Sequence, residues 1–217
     1  MNIIKLGLIL IIIFLGHGYM ATAILRLLWK PDFPIKEDYF LTFDDGPSKL
    51  SKDLLETLRK NDKDAIFFLL GEKLKSYDLA IYHGYQIGCH GYRHVNFALM
   101  TPFRTYKEFN KALSVFKEVG LTPSYFRAPY GLYNLTLLIL IKTHGMKPFQ
   151  WDYLLGDWKE EDDFVLLNKL KDKARDKNVL VLHDGTEGSA DPGAKDKMLK
   201  EVRIFLDEER ENKKNHN

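Results

Sequence analysis

Tyr39-Phe40-Leu41-Thr42-Phe43-Asp44-Asp45-Gly46-Pro47 begins as an apolar, strand-favouring run and ends in two carboxylates and a turn. Outward from it, short runs of the same kind recur at Ala65–Leu70, Tyr85–Cys89, Ser124–Arg127, Lys147–Trp151 and Asn178–His183. With Tyr39–Phe43 these make six strand candidates. Between them the spacing turns helical: Leu50, Leu54, Leu55 and Leu58 mark one amphipathic helix, and Tyr106, Phe109, Leu113 and Phe116 another. Strands alternating with helices predict a parallel sheet. Leu132–Ile141 is apolar enough to suggest a membrane span, but ten residues are too few and Thr143–Gly145 end it, so a buried core helix is expected. Lys195–Glu211 reads as a closing helix with a charged face, followed by a frayed polar tail. No internal repeat or low-complexity tract interrupts this order.

The 217 residues, 45% of them apolar, suffice for one domain with a continuous core. Thirty-two basic against 30 acidic residues leave a net charge of +2 and no basic stripe, which excludes nucleic acid as a partner. The single cysteine, Cys89, excludes an intrachain disulfide and leaves the redox compartment open.

The first thirty residues are expected to stand outside the fold. Met1–Lys5 give a short positive start and Leu6–Leu15 are almost wholly apolar, as in an export signal. Ala21, Thr22 and Ala23 offer a small-x-small cleavage site, yet apolar character resumes through Leu28, and Leu6–Leu25 would span about 30 Å of hydrocarbon as a helix. An uncleaved anchor is preferred to a cleaved signal peptide and a secreted product, and the missing polar face argues against a buried N-terminal helix. Lys5 and the amino terminus favour the inner membrane face, which places the rest outside the cytoplasm. The organisation is then a leader over 1–28, an extended linker over 29–38 with Pro31 and Pro34, and one domain over 39–217.

Five features bear on chemistry. Asp44 and Asp45 follow a strand directly, at the carboxyl end where α/β barrels assemble their active sites, although Asp, Gly and Pro also make plain turns. His90 and His94 have the i, i+4 spacing that lets two imidazoles face one side of a helical turn as a metal pair, a spacing that also arises by chance. Two histidines and one carboxylate would make a three-ligand site with room for water, the arrangement of a catalytic zinc. His183 and Arg127 each end an apolar run, where the bland readings are a satisfied core histidine and a solvated charge. In Trp151–Trp158, Asp152 and Asp157 are bracketed by aromatics, which fits a rim loop as well as a site.

Taken in order, TFDDGP at 42–47, HGYRH at 90–94, RAPYG at 127–131, DW at 157–158 and LVLH at 180–183 resemble the motifs of the NodB-like polysaccharide deacetylases, over roughly Tyr39–Gly185. The resemblance implies an α/β fold, an incomplete or distorted (β/α) barrel, that forms the catalytic domain. It also implies that Asp45, His90 and His94 bind a divalent metal, Zn2+, and that Asp44 is the general base. Arg127 would orient Asp44, and Asp157 would tune His183, the general acid. Tyr130 would lend its backbone N–H to an oxyanion hole, with Trp158 and Val181 shaping an acetyl pocket. The expected reaction is hydrolysis of N-acetyl groups on an N-acetylglucosamine-containing glycan of the cell wall by a membrane-tethered enzyme. An O-acetyl esterase and a non-catalytic glycan-binding relative are the alternatives. Two positions depart from the family's pattern: Cys89 stands where asparagine is frequent and Leu154 where an acidic residue is. No apolar strand follows the closing helix, so the barrel is expected to be one strand poorer.

Overall fold

The computed structural model describes residues 5, 7, 16–33, 35–159, 161–185 and 190–215. Its strands are β1 (Tyr39–Gly46), β2 (Ala65–Leu69), β3 (Gln86–Cys89), β4 (Tyr125–Phe126), β5 (Lys147–Pro148), β6 (Tyr153–Leu154) and β7 (Asn178–His183). The helices are α1 (Ala21–Leu28), α2 (Ser51–Lys60), α3 (Pro102–Glu118), α4 (Leu135–Thr143), α5 (Val165–Lys173) and α6 (Ala194–Asn215). The hydrogen-bonded strand order is β5-β4-β3-β2-β1-β7-β6.

The chain divides into two compact units. One comprises Phe33–Leu69, Lys73–Ile87 and Trp151–Asn217. At its centre β1 pairs in parallel with β2 and β7, and β7 with β6. β2 is buried at every position and β1 at all but one, the continuous apolar pattern of strands covered on both faces. Phe43 stacks on Phe67 at 5.1 Å, and Phe67 in turn meets the edges of Tyr82 and Tyr85. Leu54, Leu55 and Leu58 of α2 are fully buried, as their spacing predicts. β6 is the strand that the sequence reading misses: Tyr153 and Leu154 are both exposed, so no alternation marks them. Expected strands also shorten, Lys147–Trp151 to Lys147–Pro148 and Ser124–Arg127 to Tyr125–Phe126.

The other unit comprises Met1–Asp32, Leu70–Glu72 and Gly88–Gln150, in which β4 pairs with β3 and β5. α3 starts at a Thr101 cap followed by Pro102 and buries Thr105, Glu108, Phe109, Ala112 and Phe116. Phe109 and Phe116 face inward as expected, but Thr105, Glu108 and Ala112 complete the stripe, Leu113 is only half-buried and Tyr106 is exposed. α4 differs from the buried core helix expected there: Leu137 and Ile141 are buried, while Leu135 and Ile139 are each 53% exposed.

Part of the expected leader helix Leu6–Leu25, residues 6 and 8–15, lies outside the described residues. Among the described residues no helix is long and apolar enough to cross a membrane. Gly16–Leu28, expected to stand apart, packs into the unit instead. Thr22 donates to the Tyr133 carbonyl at 2.9 Å and accepts from the Tyr133 N–H at 2.8 Å, and His17 bonds Thr136 at 3.1 Å. The following segment is tied down too, with Trp29 against Phe149 at 5.4 Å and Tyr125 donating to Asp32 at 2.9 Å.

Candidate active site

β1 continues through both carboxylates, and its ladder with β2 slips there: Asp44 faces Phe68 and Gly46 faces Leu69, leaving Asp45 as an inserted residue. Neighbouring strand residues ordinarily point to opposite faces, and a bulge re-aims one of them. Asp45 sits at φ 71, a left-handed conformation that aspartate tolerates better than most residues. Both side chains are buried. The bulge is gripped by its neighbours. The N–H groups of Asp184 and Gly185 donate to the Asp44 carbonyl at 3.1 and 3.3 Å, and the Lys73 ammonium donates to the Asp45 carbonyl at 2.9 Å. A Cβ on Gly185 would lie 2.0 Å from the Asp45 carbonyl oxygen, so only glycine lets the two backbones approach. The Asp184 carboxylate accepts from Ser51 at 2.6 Å and Tyr82 at 2.9 Å, and burial pushes its pKa up to about 6.

His183 ends β7, in register with Asp44 on β1. Its Nδ1 lies 2.8 Å from Asp157 Oδ1, and its own main-chain N–H donates to Asp157 Oδ2 at 2.9 Å. Burial works against the imidazolium, but the charge and hydrogen bond of Asp157, with smaller help from Asp45 and Asp44, outweigh it and raise the His183 pKa. Asp157 behaves oppositely: burial opposes its ionisation, yet His183 and Lys195 hold it down at about 2. Trp158 meets the His183 ring edge-on at 5.1 Å. Val181 is buried in mid-strand, paired with Thr42 on β1 and Leu154 on β6. Asp152 takes a different role, accepting from the Val179 N–H at 2.7 Å at the start of β7.

In the other unit His90 follows β3 and His94 lies four residues on, but no helical turn joins them. Residues 90–95 form an irregular loop, with Gly91 at φ 96. The main chain of this loop is fixed from two sides. Gly71 and Glu72 N–H groups donate to the carbonyls of Gly91 and Tyr92, both at 2.9 Å, and the buried Glu108 of α3 accepts from the Arg93 N–H at 2.8 Å. The imidazoles still come together, with centroids 5.4 Å apart. His90 Nδ1 donates to the Arg127 carbonyl at 2.7 Å, which fixes the tautomer and leaves the Nε2 lone pair for a metal. His94 meets the ring of Tyr130 edge-on at 4.5 Å, and Tyr130 itself is held at φ 60 within Pro129–Gly131. Arg127 is fully buried, with a guanidinium nitrogen donating to the Gln150 carbonyl at 3.3 Å and its Cζ 5.0 Å from the centroid of the Phe149 ring. Cys89, one of the two departures, is also fully buried; its sulfur accepts from the Gly91 N–H at 3.4 Å, and burial pushes the thiol up to about 12.

Two site-building residues escaped the sequence reading. Lys195 lies in a strongly charged helix, where a lysine carries no local mark of burial. Glu108 did leave a signal, because a charge on the inward stripe of α3 needs a partner.

A sequence profile of the polysaccharide deacetylases matches residues 34–149. The peptidoglycan-N-acetylmuramic acid deacetylase PdaC of Bacillus subtilis is 28% identical over 75% of this chain and 35% of its own length. The peptidoglycan-N-acetylglucosamine deacetylase PgdA of Listeria monocytogenes is 30% identical over 66% of this chain and 32% of its own. The chain thus spans about a third of the length of these curated relatives. The solved PdaC chain superposes with a TM-score of 0.64 at 25% identity, over 84% of this chain and 96% of that one. BA3943 of Bacillus anthracis, a pseudoenzyme of carbohydrate esterase family 4, gives 0.64 at 20% identity, over 82% of this chain and 63% of that one. One fold therefore serves both an enzyme and a pseudoenzyme, and only side chains can separate the two. With more than half of its residues matched by the profile, this chain belongs to the polysaccharide deacetylase family.

Proposed function

We propose that this chain is a metal-dependent hydrolase that removes N-acetyl groups from N-acetylglucosamine-containing cell-wall glycan. The observation that carries the reading is the register of Asp44 with His183 on adjacent parallel strands, which supports a base at Asp44 working with an acid at His183.

Asp45, His90 and His94 are the residues that would hold the metal, each offering one ligand atom. Their chemistry fits a zinc-like ion: two imidazoles and one carboxylate, with the His90 tautomer already set by the Arg127 carbonyl. When bound, such an ion supplies Lewis-acid polarisation of the acetyl carbonyl and lowers the pKa of a water from about 15.7 towards 7. Asp44 accepts the proton of the attacking water, and Arg127 is the cation that orients it, consistent with a buried guanidinium's need for an anion. The Tyr130 N–H would donate to the oxyanion, a contribution of order 3 kcal/mol per donor in comparable sites. His183 then delivers a proton from its second nitrogen to the departing amine, while Asp157 keeps the first nitrogen engaged. Trp158 and Val181 border the acetyl group. The N-terminal segment ahead of Gly16 is proposed to tether this activity to the outer side of a membrane, which carbonate extraction of cells expressing the full chain would test.

Mass spectrometry of N-acetylated chitooligosaccharides and muropeptides, incubated with purified protein and zinc, tests the reaction. Loss of acetyl mass from a defined sugar is expected, and it should vanish on chelation. Acetate released only from O-acetylated oligosaccharides would make the chain an esterase, and glycan binding without acetate release would make it a non-catalytic relative.

A further inference from the structure

Asp157 has a second cation as well as His183. The ammonium of Lys195, from the first turn of α6, donates to Asp157 Oδ2 at 2.9 Å and to the His183 carbonyl at 3.2 Å. The Lys195 side chain is only 9% exposed, and among the described residues the Asp157 carboxylate and the His183 carbonyl receive its charge. Lysine is rarely buried this deeply without a partner, and desolvating an ammonium costs several kcal/mol unless the geometry repays it.

From this arrangement we infer that Lys195 is a positioning residue for the general acid, clamping Asp157 and the His183 backbone so that the imidazole keeps one orientation through turnover. This inference rests on the acid role proposed for His183. Two physical arguments support it. A carboxylate bonded only to an imidazole can rotate about its Cβ–Cγ bond, whereas Oδ2 is fixed here by the Lys195 ammonium and the His183 N–H, which leaves Oδ1 facing Nδ1. Charge is the other. When the imidazolium has passed its proton to the amine, Asp157 remains ionised beside a neutral histidine, and the Lys195 ammonium neutralises it. The acid thus ends its step in a neutral cluster rather than with a buried unpaired anion, which would hold the proton back.

The experiment compares two leaving groups on the full chain loaded with zinc. An N-acetyl chitooligosaccharide needs a proton for its amine; 4-nitrophenyl acetate does not, because its phenolate leaves unaided. Lys195→Met is expected to lower kcat on the amide by about 10–100-fold, the range seen when supporting partners of a site residue are removed. KM on the amide and the ester rate should stay within about twofold. Lys195→Gln, which keeps a donor without the charge, serves the same comparison if Lys195→Met does not fold. Lys195→Arg, which keeps the charge, should recover part of the amide rate. Equal losses on amide and ester, or no loss on either, would overturn the role of Lys195. His183→Ala runs in parallel: if it fails to separate amide from ester, the acid assignment itself falls, whereas separation by His183→Ala and not by the Lys195 variants removes only Lys195.

Discussion

Asp157 Oδ1 stands 2.8 Å from His183 Nδ1, and the Asp157 side chain is wholly buried. A buried carboxylate at that distance holds its histidine protonated above the ordinary range near pH 6.5. The sign follows from the raised pKa in the folded state. The pair stabilises the fold fully below about pH 6.5, and that contribution fades as pH rises through the raised value. Asp157, held down at about 2, stays ionised across this window and loses its own stabilising share only in strong acid. The kcat–pH profile is therefore expected to fall on an alkaline limb above about pH 6.5. Asp157→Asn should move that limb to lower pH and lower kcat; a limb that does not move would remove His183 from the acid role.

Asp44 and His90 separate turnover from metal retention. Asp44→Asn is expected to keep zinc and lose about 100-fold or more in kcat, within the range for a general base. His90→Ala should lose both, because it deletes a proposed metal ligand. Zinc content by elemental analysis alongside acetate release checks the pair, and near-normal turnover by Asp44→Asn would contradict the base assignment.

The loop that carries His90 and His94 hangs on Glu108, which takes the Arg93 N–H at 2.8 Å and the Arg93 guanidinium at 3.2 Å. The guanidinium is more than half exposed, so its ion pair contributes little, and the main-chain bond to a buried carboxylate matters more. Glu108→Ala is expected to weaken zinc binding by about 10–100-fold, as loss of ligand-supporting partners does. Calorimetric titration with zinc would measure it, and unaltered affinity would show that the loop holds its shape alone.

Gly185 tests the bulge. A methyl group there would collide with the Asp45 carbonyl at 2.0 Å, so Gly185→Ala must push Asp45 aside. Zinc affinity and kcat should both fall steeply while circular dichroism stays native. Full activity in this variant would mean that the bulge relaxes without moving the carboxylate.

Glu201 concerns stability rather than catalysis. From α6 its buried carboxylate accepts the Phe164 N–H at 2.9 Å and the Leu167 N–H at 2.7 Å. It thereby caps α5, whose own cap residue, Phe164, is left-handed and makes no side-chain cap bond. Glu201→Ala is expected to cost about 1–3 kcal/mol, since buried N–H groups lose their acceptor. Urea denaturation would give that figure, with kcat unchanged for the folded fraction.

The chain's local patterns determined a good deal without any coordinates. Apolar runs at 39–43, 65–70 and 178–183 become strands because burial on both faces of a parallel sheet leaves a continuous apolar signature. Asp44 and His183 could be placed at strand ends because the polar residues begin where that signature stops. Tyr153–Leu154 had no such mark, being two exposed residues that pair only because β7 offers an edge. Tertiary structure alone decided which charges are matched. Lys195 finds Asp157 across 38 positions and Glu201 finds Phe164 across 37. A side chain's partner depends on how distant segments pack, and sequence periodicity records only which way each segment faces. The same reason explains His90 and His94: their spacing suggested a helical turn, but bonds to Gly71, Glu72 and Glu108 shaped a loop that brings the rings together.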